Sequence, residues 1–171
     1  MTELPRELVG EFIDAAVDDH AKAEAMLKEH PRLIDARWHL DETVLHFLAV
    51  EYFTAGVRFL IERGADVNAV NTFGDTALQD VCGLGYEPLA ELLLQHGADL
   101  HARLPERDSA LQRAVRSGTV SLVRMLIDAG ADARFRTDDG ETIFDTVDEA
   151  RDNHEELIAL LAEYGIVRDG E

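Results

Sequence analysis

Thr43, Thr76, Ser109 and Thr142 stand 33 residues apart, and this period constrains the fold more than any other feature of the chain. Leu45, Leu78, Leu111 and Phe144 repeat at the same step, as do Gly64, Gly97 and Gly130, each of which opens Gly-Ala-Asp. Phe59-Leu60, Leu92-Leu93 and Met125-Leu126 fill matching places between them. The copy from Gly74 to Leu100 reads as two helices. Thr76 suits an N-cap, with Leu78, Val81 and Cys82 on one side of the first helix. Gly85 supplies a break, and Pro88 suits the first turn of the second helix, where its missing N–H is no loss. Leu89, Leu92 and Leu93 then share a face at i, i+3 and i+4, and Gly97 serves as a left-handed stop. Two helices this short cannot bury their apolar faces on each other alone, so the copies must stack.

The copies open on TVLH (43–46), TALQ (76–79), SALQ (109–112) and TIFD (142–145). With two helices and a turn in each 33-residue period, the chain resembles the ankyrin repeat, whose units start Thr-Pro-Leu-His. None of the copies keeps the Pro, and only the first keeps the His. The resemblance covers most of the chain. It implies an all-α ankyrin-repeat solenoid of stacked helix-turn-helix units with hairpin-like loops. A single domain is expected over 1–171, with units at about 1–39 (N-cap), 40–70, 71–103, 104–136 and 137–171 (C-cap). It also implies a structural, hydrogen-bonding role for His46 at its helix start.

The end units diverge, as stacking requires of units with one solvated face. In the first, Phe12, Ala15 and Ala16 lie near the register of Leu45, Leu48 and Ala49. Pro31 replaces the Gly-Ala-Asp stop and biases His30 away from the helical region. Glu7, Glu11, Asp18 and Asp19 suit the polar outer side. The last unit carries twelve Asp and Glu against Arg151 and Arg168, and Gly130 to Gly165 is 35 residues, so two are inserted around 148–154. Tyr52 stands where the next two copies have Gly85 and Gly118. The expectation there is a tighter or displaced turn, with Tyr52 and Phe53 packed in preference to forming an exposed aromatic pair. Arg107 stands where Gly74 and Gly140 do, which implies strain or a remodelled loop at Pro105. Arg103, Arg107, Arg134 and Arg136 make two loop tips locally basic, either as a binding feature or as balance for nearby acids.

Composition narrows the function. The formal net charge is −19, from 35 acidic and 16 basic residues. Such a surface repels nucleic acid backbones and anionic membranes. It serves solubility, or it attracts a basic protein. The single Cys82 cannot form an intramolecular disulfide, and its register makes it a core residue. The N-terminus lacks the basic and apolar regions of a signal peptide, and no apolar run approaches the ~18 residues of a span. A soluble cytoplasmic chain is expected. No GxGxxG opening a helix, GxxxxGK[ST], GxSxG or HExxH occurs. No cofactor, metal or catalytic residue is therefore expected. His96 and His101 could approach across a turn, but a metal needs more ligands than two.

Ankyrin-like arrays bind proteins on a concave face of finger tips and first helices, and the resemblance carries that face onto this chain. It takes His39, Leu40, Glu42 and Glu51 from the second unit, and Thr72, Phe73, Asp75 and Leu84 from the third. Glu106, Asp108 and Arg116 follow from the fourth, and Asp138, Asp139 and Glu141 from the last. The face is mostly acidic, with Phe73 and Leu84 foremost among its apolar anchors, the alternative for Phe73 being packing within its own hairpin. The expected function is a protein–protein interaction module for a basic protein partner, in one version an inhibitor or immunity-type protein. The alternatives are a scaffold whose charge serves solubility only, and an enzyme. A monomer is expected, because the acidic last unit disfavours end-to-end pairing.

Overall fold

The computed structural model describes residues 4–102, 107–136 and 140–168. Ten α-helices occur among them: α1 (Arg6–Asp18), α2 (His20–Glu29), α3 (Val44–Val50), α4 (Thr54–Glu62), α5 (Ala77–Gly83), α6 (Glu87–Gln95), α7 (Ala110–Ser117), α8 (Val120–Asp128), α9 (Ile143–Asp148) and α10 (His154–Glu163). Short 3-10 turns, Pro31–Asp35 and His39–Asp41, fill the connection before α3. Extended pairing among the described residues is limited to two isolated bridges, Arg37 with Thr43 and Val70 with Thr76. The helix pairs are those of an all-α ankyrin architecture. The chain divides into two compact units, Met1–Ala77 with Glu91–Ala98, and Leu78–Ala90 with Asp99–Glu171.

In the first unit, α1 packs on α2, α3 and α4. Phe12, Ala16, Ala23, Leu33, Leu45, Leu48, Val57 and Leu60 are fully buried. Each such leucine contributes about 2 kcal/mol by leaving water. Thr43 accepts a hydrogen bond from the His46 N–H at 3.3 Å and so caps α3. Asp19 caps α2 in the same way through the Lys22 N–H, at 3.0 Å. Pro31 opens a 3-10 turn directly after His30, at φ −130°, ends α2. Arg63 lies with its guanidinium carbon 3.8 Å from the Phe59 ring centre, and its Nε donates to Glu24 at 2.5 Å. The His20 ring also stacks on Phe59, at 4.5 Å between centroids.

In the second unit, α7 packs on α8 and α9, and α10 on α8 and α9. Leu78, Val81, Cys82, Leu111, Ala114, Leu122, Leu126, Val147, Leu157 and Leu161 form its core. Ser109 with Gln112, and Thr142 with Asp145, close capping boxes at the starts of α7 and α9. The two-residue insertion precedes Asn153. At φ 65°, Asn153 occupies the left-handed turn that Gly118, at φ 77°, supplies one unit earlier. Asn tolerates this region better than other residues with side chains. Its Nδ2 also donates to the Gly118 carbonyl at 2.9 Å.

Tyr52 departs from the packed expectation. It adopts φ 65°, the left-handed conformation of Gly85 and Gly118, rather than a tighter turn. Its side chain is therefore carried outward, and Tyr52 and Phe53 form an exposed aromatic pair, 46% and 40% accessible.

Gly56 marks a close approach of α4 to α1 in the first unit. A Cβ there would stand 2.8 Å from the Ala16 carbonyl oxygen and 2.8 Å from Leu48 Cδ1. Alanine would gain helix propensity of about 1 kcal/mol, but overpacking against backbone costs about 1–3 kcal/mol. Gly56→Ala is expected to lower the urea midpoint, and an unchanged or higher midpoint would refute the close approach of α1 and α4.

Candidate functional site

The connection ahead of α5 is built from backbone closure and one polar side chain. In the first unit, Asn71 Oδ1 accepts from the Phe73 N–H at 2.9 Å and from the Asp75 N–H at 3.1 Å. The Asn71 N–H donates to the Asp75 carbonyl, and the Gly74 N–H to the Asn71 carbonyl, both at 3.0 Å. Gly74 takes φ 78°, which removes the steric penalty of the tip. One period earlier the same place is held by Asp41 at φ 57°, preceded by Leu40 at φ 52°. The two tips are tied together, because the Thr72 N–H donates to the Leu40 carbonyl at 3.0 Å. Arg37 braces the earlier loop by donating to the Asp41 and Val70 carbonyls at 2.6 and 2.5 Å.

A buried side chain locks the loop to the helix before it. His46 is fully buried, and its Nε2 lies 3.2 Å from the Asp75 carbonyl. A carbonyl only accepts, so Nε2 carries the proton and Nδ1 accepts from the Thr43 hydroxyl at 2.9 Å. The second unit repeats the bond with a different residue: Gln79 Nε2 donates to the Asp108 carbonyl at 2.8 Å. Gln79 was not singled out in the sequence, although it shares the register of His46.

The expected face can now be placed residue by residue. In the first unit His39, Leu40, Thr72 and Phe73 are exposed at the tied tips, with Leu40 64% and Phe73 47% accessible. Val70, which the sequence did not select, is exposed beside them. Glu42 is half-buried behind the first tip, and Glu51 is exposed on the turn after α3. Asp75 is corrected: at 5% accessible it is a buried residue, drawn in by the bonds its backbone makes to Asn71 and His46. In the second unit Leu84 is exposed at the end of α5, and Glu141 is exposed before α9. Arg116 donates to Asp108 at 2.9 Å and also pairs with Glu149, so its charge is covered by two carboxylates. Glu106, Asp138 and Asp139 lie outside the described residues, as do Arg103 and Pro105. Of the locally basic tips, Arg134 has a structural role, donating from Nη2 to the Tyr164 carbonyl just past α10 at 3.0 Å.

No group of three or more His, Cys, Asp and Glu among the described residues could hold a metal ion. His96 Nδ1 donates to the Leu92 carbonyl at 2.8 Å, which engages that ring within its own helix turn. Burial pushes the Cys82 thiol up to about 12. No described helix is long and apolar enough to cross a membrane.

Two outcomes follow from these environments. Burial holds His46 below its ordinary value of 6.5. The unfolded chain therefore takes up this proton first as pH falls, so the contribution is complete above about 6.5 and is lost as pH falls through the folded value. His46→Gln, which keeps a donor of the kind Gln79 supplies, is expected to remove that part of the pH dependence in urea melts between about pH 5 and 7. Identical pH profiles for the two proteins would contradict the buried neutral imidazole. Cys82 is expected to react with a thiol reagent only as fast as the protein opens; rapid labelling in native buffer would show that its helix is not packed as described.

Comparison with known proteins bears on the same residues. A family model described as ankyrin repeats, in three copies, matches residues 12–104, more than half of the chain. The chain is also similar to serine/threonine-protein kinase VIK of Arabidopsis thaliana, with 36% identity over 76 residues. That stretch is 44% of this chain and spans only 17% of the length of that relative.

Proposed function

The chain belongs to the ankyrin-repeat family, and on that footing we propose that it is a protein-binding module that holds a basic protein through its finger tips. Ankyrin repeats are in general protein–protein interaction modules, typically without catalytic activity of their own. One observation carries the reading to particular residues. Leu40 sits at φ 52°, a region that costs a branched side chain about 1–2 kcal/mol, and yet leaves that side chain 64% exposed. An apolar side chain held in strain without burial contributes little to folding, whatever its backbone does. It is placed to be covered by something else. Phe73 stands on the adjoining tip, tied to it through Thr72 and Leu40, and the pair has the form of an apolar anchor in a polar rim.

The rim favours a basic partner. Asp41 is exposed, Glu42 lies half-buried behind it, and Glu51 is exposed at the next turn. The field of a chain at −19 steers a cationic protein and repels an anionic one. An inhibitor or immunity-type role would suit such a surface, and the module acts as a monomer in this reading.

The test separates binding from stability. Leu40→Gly removes the strain and the anchor together, so it is expected to leave stability unchanged or raise it by up to about 1 kcal/mol while binding falls. Phe73→Ala is expected to weaken binding by about tenfold or more. Capture from a lysate of the source organism at roughly 0.05 M and 0.5 M salt provides the readout. A basic protein retained by the wild type, released at high salt and lost in both variants is the expected outcome. Retention that ignores salt, or survives both substitutions, would refute the tips as the binding determinant.

A further inference from the structure

Two clefts of the second unit occupy the same place in the repeat. The earlier encloses about 200 Å³, and its lining includes Leu100, Ser109, Leu111, Ala131 and Asp132, with Phe135 as a wall brought in by the following loop. The later encloses about 400 Å³, with Ala133, Thr142, Phe144, Ile166 and Val167 at the corresponding places, the last two displaced by the two-residue insertion. The place of Phe135 falls there to Gly170, which lies outside the described residues and has no side chain to contribute. The larger cleft therefore lacks the aromatic group that the register supplies one unit earlier. Ala133, Ile143, Phe144 and Ile166 give it a buried apolar lining, and Val167 stands at its rim, 59% accessible. Its polar groups already have roles within the unit. The Thr142 N–H and hydroxyl donate to Asp145, Arg134 donates to the Tyr164 carbonyl, and Arg168 pairs with Asp148. The guanidinium carbon of Arg168 also lies 5.2 Å from the Phe144 ring centre.

We propose that the larger cleft receives an aromatic side chain from a segment of another protein. Its rim carries Arg134, Arg136 and Arg168 against Asp145, so it complements a group with an electron-rich face. An anion is disfavoured, because the field of a chain at −19 repels it and Arg168 already has its carboxylate. An aromatic ring meets both conditions. It is uncharged, and its π face stacks on a guanidinium whose in-plane N–H groups stay on Asp148. A basic side chain would meet three arginines, and an aliphatic one would cover the buried wall without using them. A second copy of this chain carries the same −19 and is repelled in turn. Phe135 is the precedent for the fit, since it stands against Leu111 and Ala131, the counterparts of Phe144 and Ile166. The cleft lies within the second unit and shares no residue with the finger-tip anchors.

The full chain, labelled at its isoleucine and valine methyl groups, is titrated by NMR with the acetylated and amidated peptide Gly-Ser-Phe-Ser-Gly. Counterparts carry leucine, alanine or glutamate in place of the phenylalanine. Saturable shifts of the Ile143, Ile166 and Val167 methyls are expected with the phenylalanine peptide, at a Kd of about 1–10 mM for one anchoring side chain. The leucine peptide should bind several-fold more weakly, and the alanine and glutamate peptides should produce no saturable shift. Val167→Asp, at the exposed rim, is expected to weaken binding about tenfold with an unchanged urea midpoint. Arg168→Gln should weaken it about threefold, and it carries the test if the first variant fails to fold. The proposal is overturned if the phenylalanine peptide gives no saturation up to about 20 mM, or shifts methyl groups elsewhere instead. It is also overturned if any counterpart binds as tightly, or if the folded variants bind like the wild type. These outcomes are independent of Leu40 and Phe73, so a failure here leaves the finger-tip reading standing.

Discussion

The bond from a buried side chain to the carbonyl 29 residues further along is the interaction on which the loops depend. His46 makes it to Asp75 in the first unit, and Gln79 makes it to Asp108 in the second. Both side chains are buried at the start of a helix, where an unmade hydrogen bond would leave a desolvated donor and a desolvated carbonyl. The loop must therefore return to one position over the helix. Thr43 and Asn71 then complete the geometry around it, the first by capping α3 and donating its hydroxyl to His46 Nδ1, the second by closing the tip on itself. A rigid tip is what allows exposed side chains such as Leu40 and Phe73 to be presented without the entropy loss of ordering a loose loop on binding.

Backbone handedness distributes function along these loops. Where the register places glycine, at Gly74, Gly85 and Gly118, the left-handed turn is unstrained and presents no side chain. Where it places Asp41, Tyr52 or Asn153, the same turn carries a side chain, and Leu40 beside Asp41 is left-handed as well. Asn153 uses its amide to close a hydrogen bond on Gly118, which gives it a structural return. Leu40 and Tyr52 instead place large apolar groups in solvent. Tyr52 stands where later copies have glycine, whereas Leu40 precedes Asp41, which holds the Gly74 place.

Charge is partitioned in a comparable way. Several arginines are covered by carboxylates within their own unit, among them Arg63 by Glu24, Arg113 by Asp80, Arg124 by Glu163 and Arg168 by Asp148. Exposed pairs of this kind contribute little to stability, but they remove those cations from the surface field and leave it more uniformly acidic. Arg6 and Arg37 bond to uncharged acceptors, the first to His39 and the second to the Asp41 and Val70 carbonyls.

The sequence by itself determined the period, the paired helices, the capping residues Thr43, Ser109 and Thr142, and the glycine stops. Each of these is a local property that recurs every 33 residues, and recurrence makes a weak signal legible. It also placed Leu40 and Phe73 at the tips. Burial at the loops was decided only by the tertiary structure. Asp75 looks like a surface acid in the sequence and is buried, because His46, 29 residues earlier, bonds to its carbonyl. Tyr52 looks like a residue to be packed and is exposed, because the turn keeps the left-handed form of its glycine counterparts. Trp38 packs against Gly10 of α1, a contact between a loop and a helix that lie far apart in the sequence. Side-chain direction and long-range closure set these features, and neither leaves a repeating trace in the order of the residues.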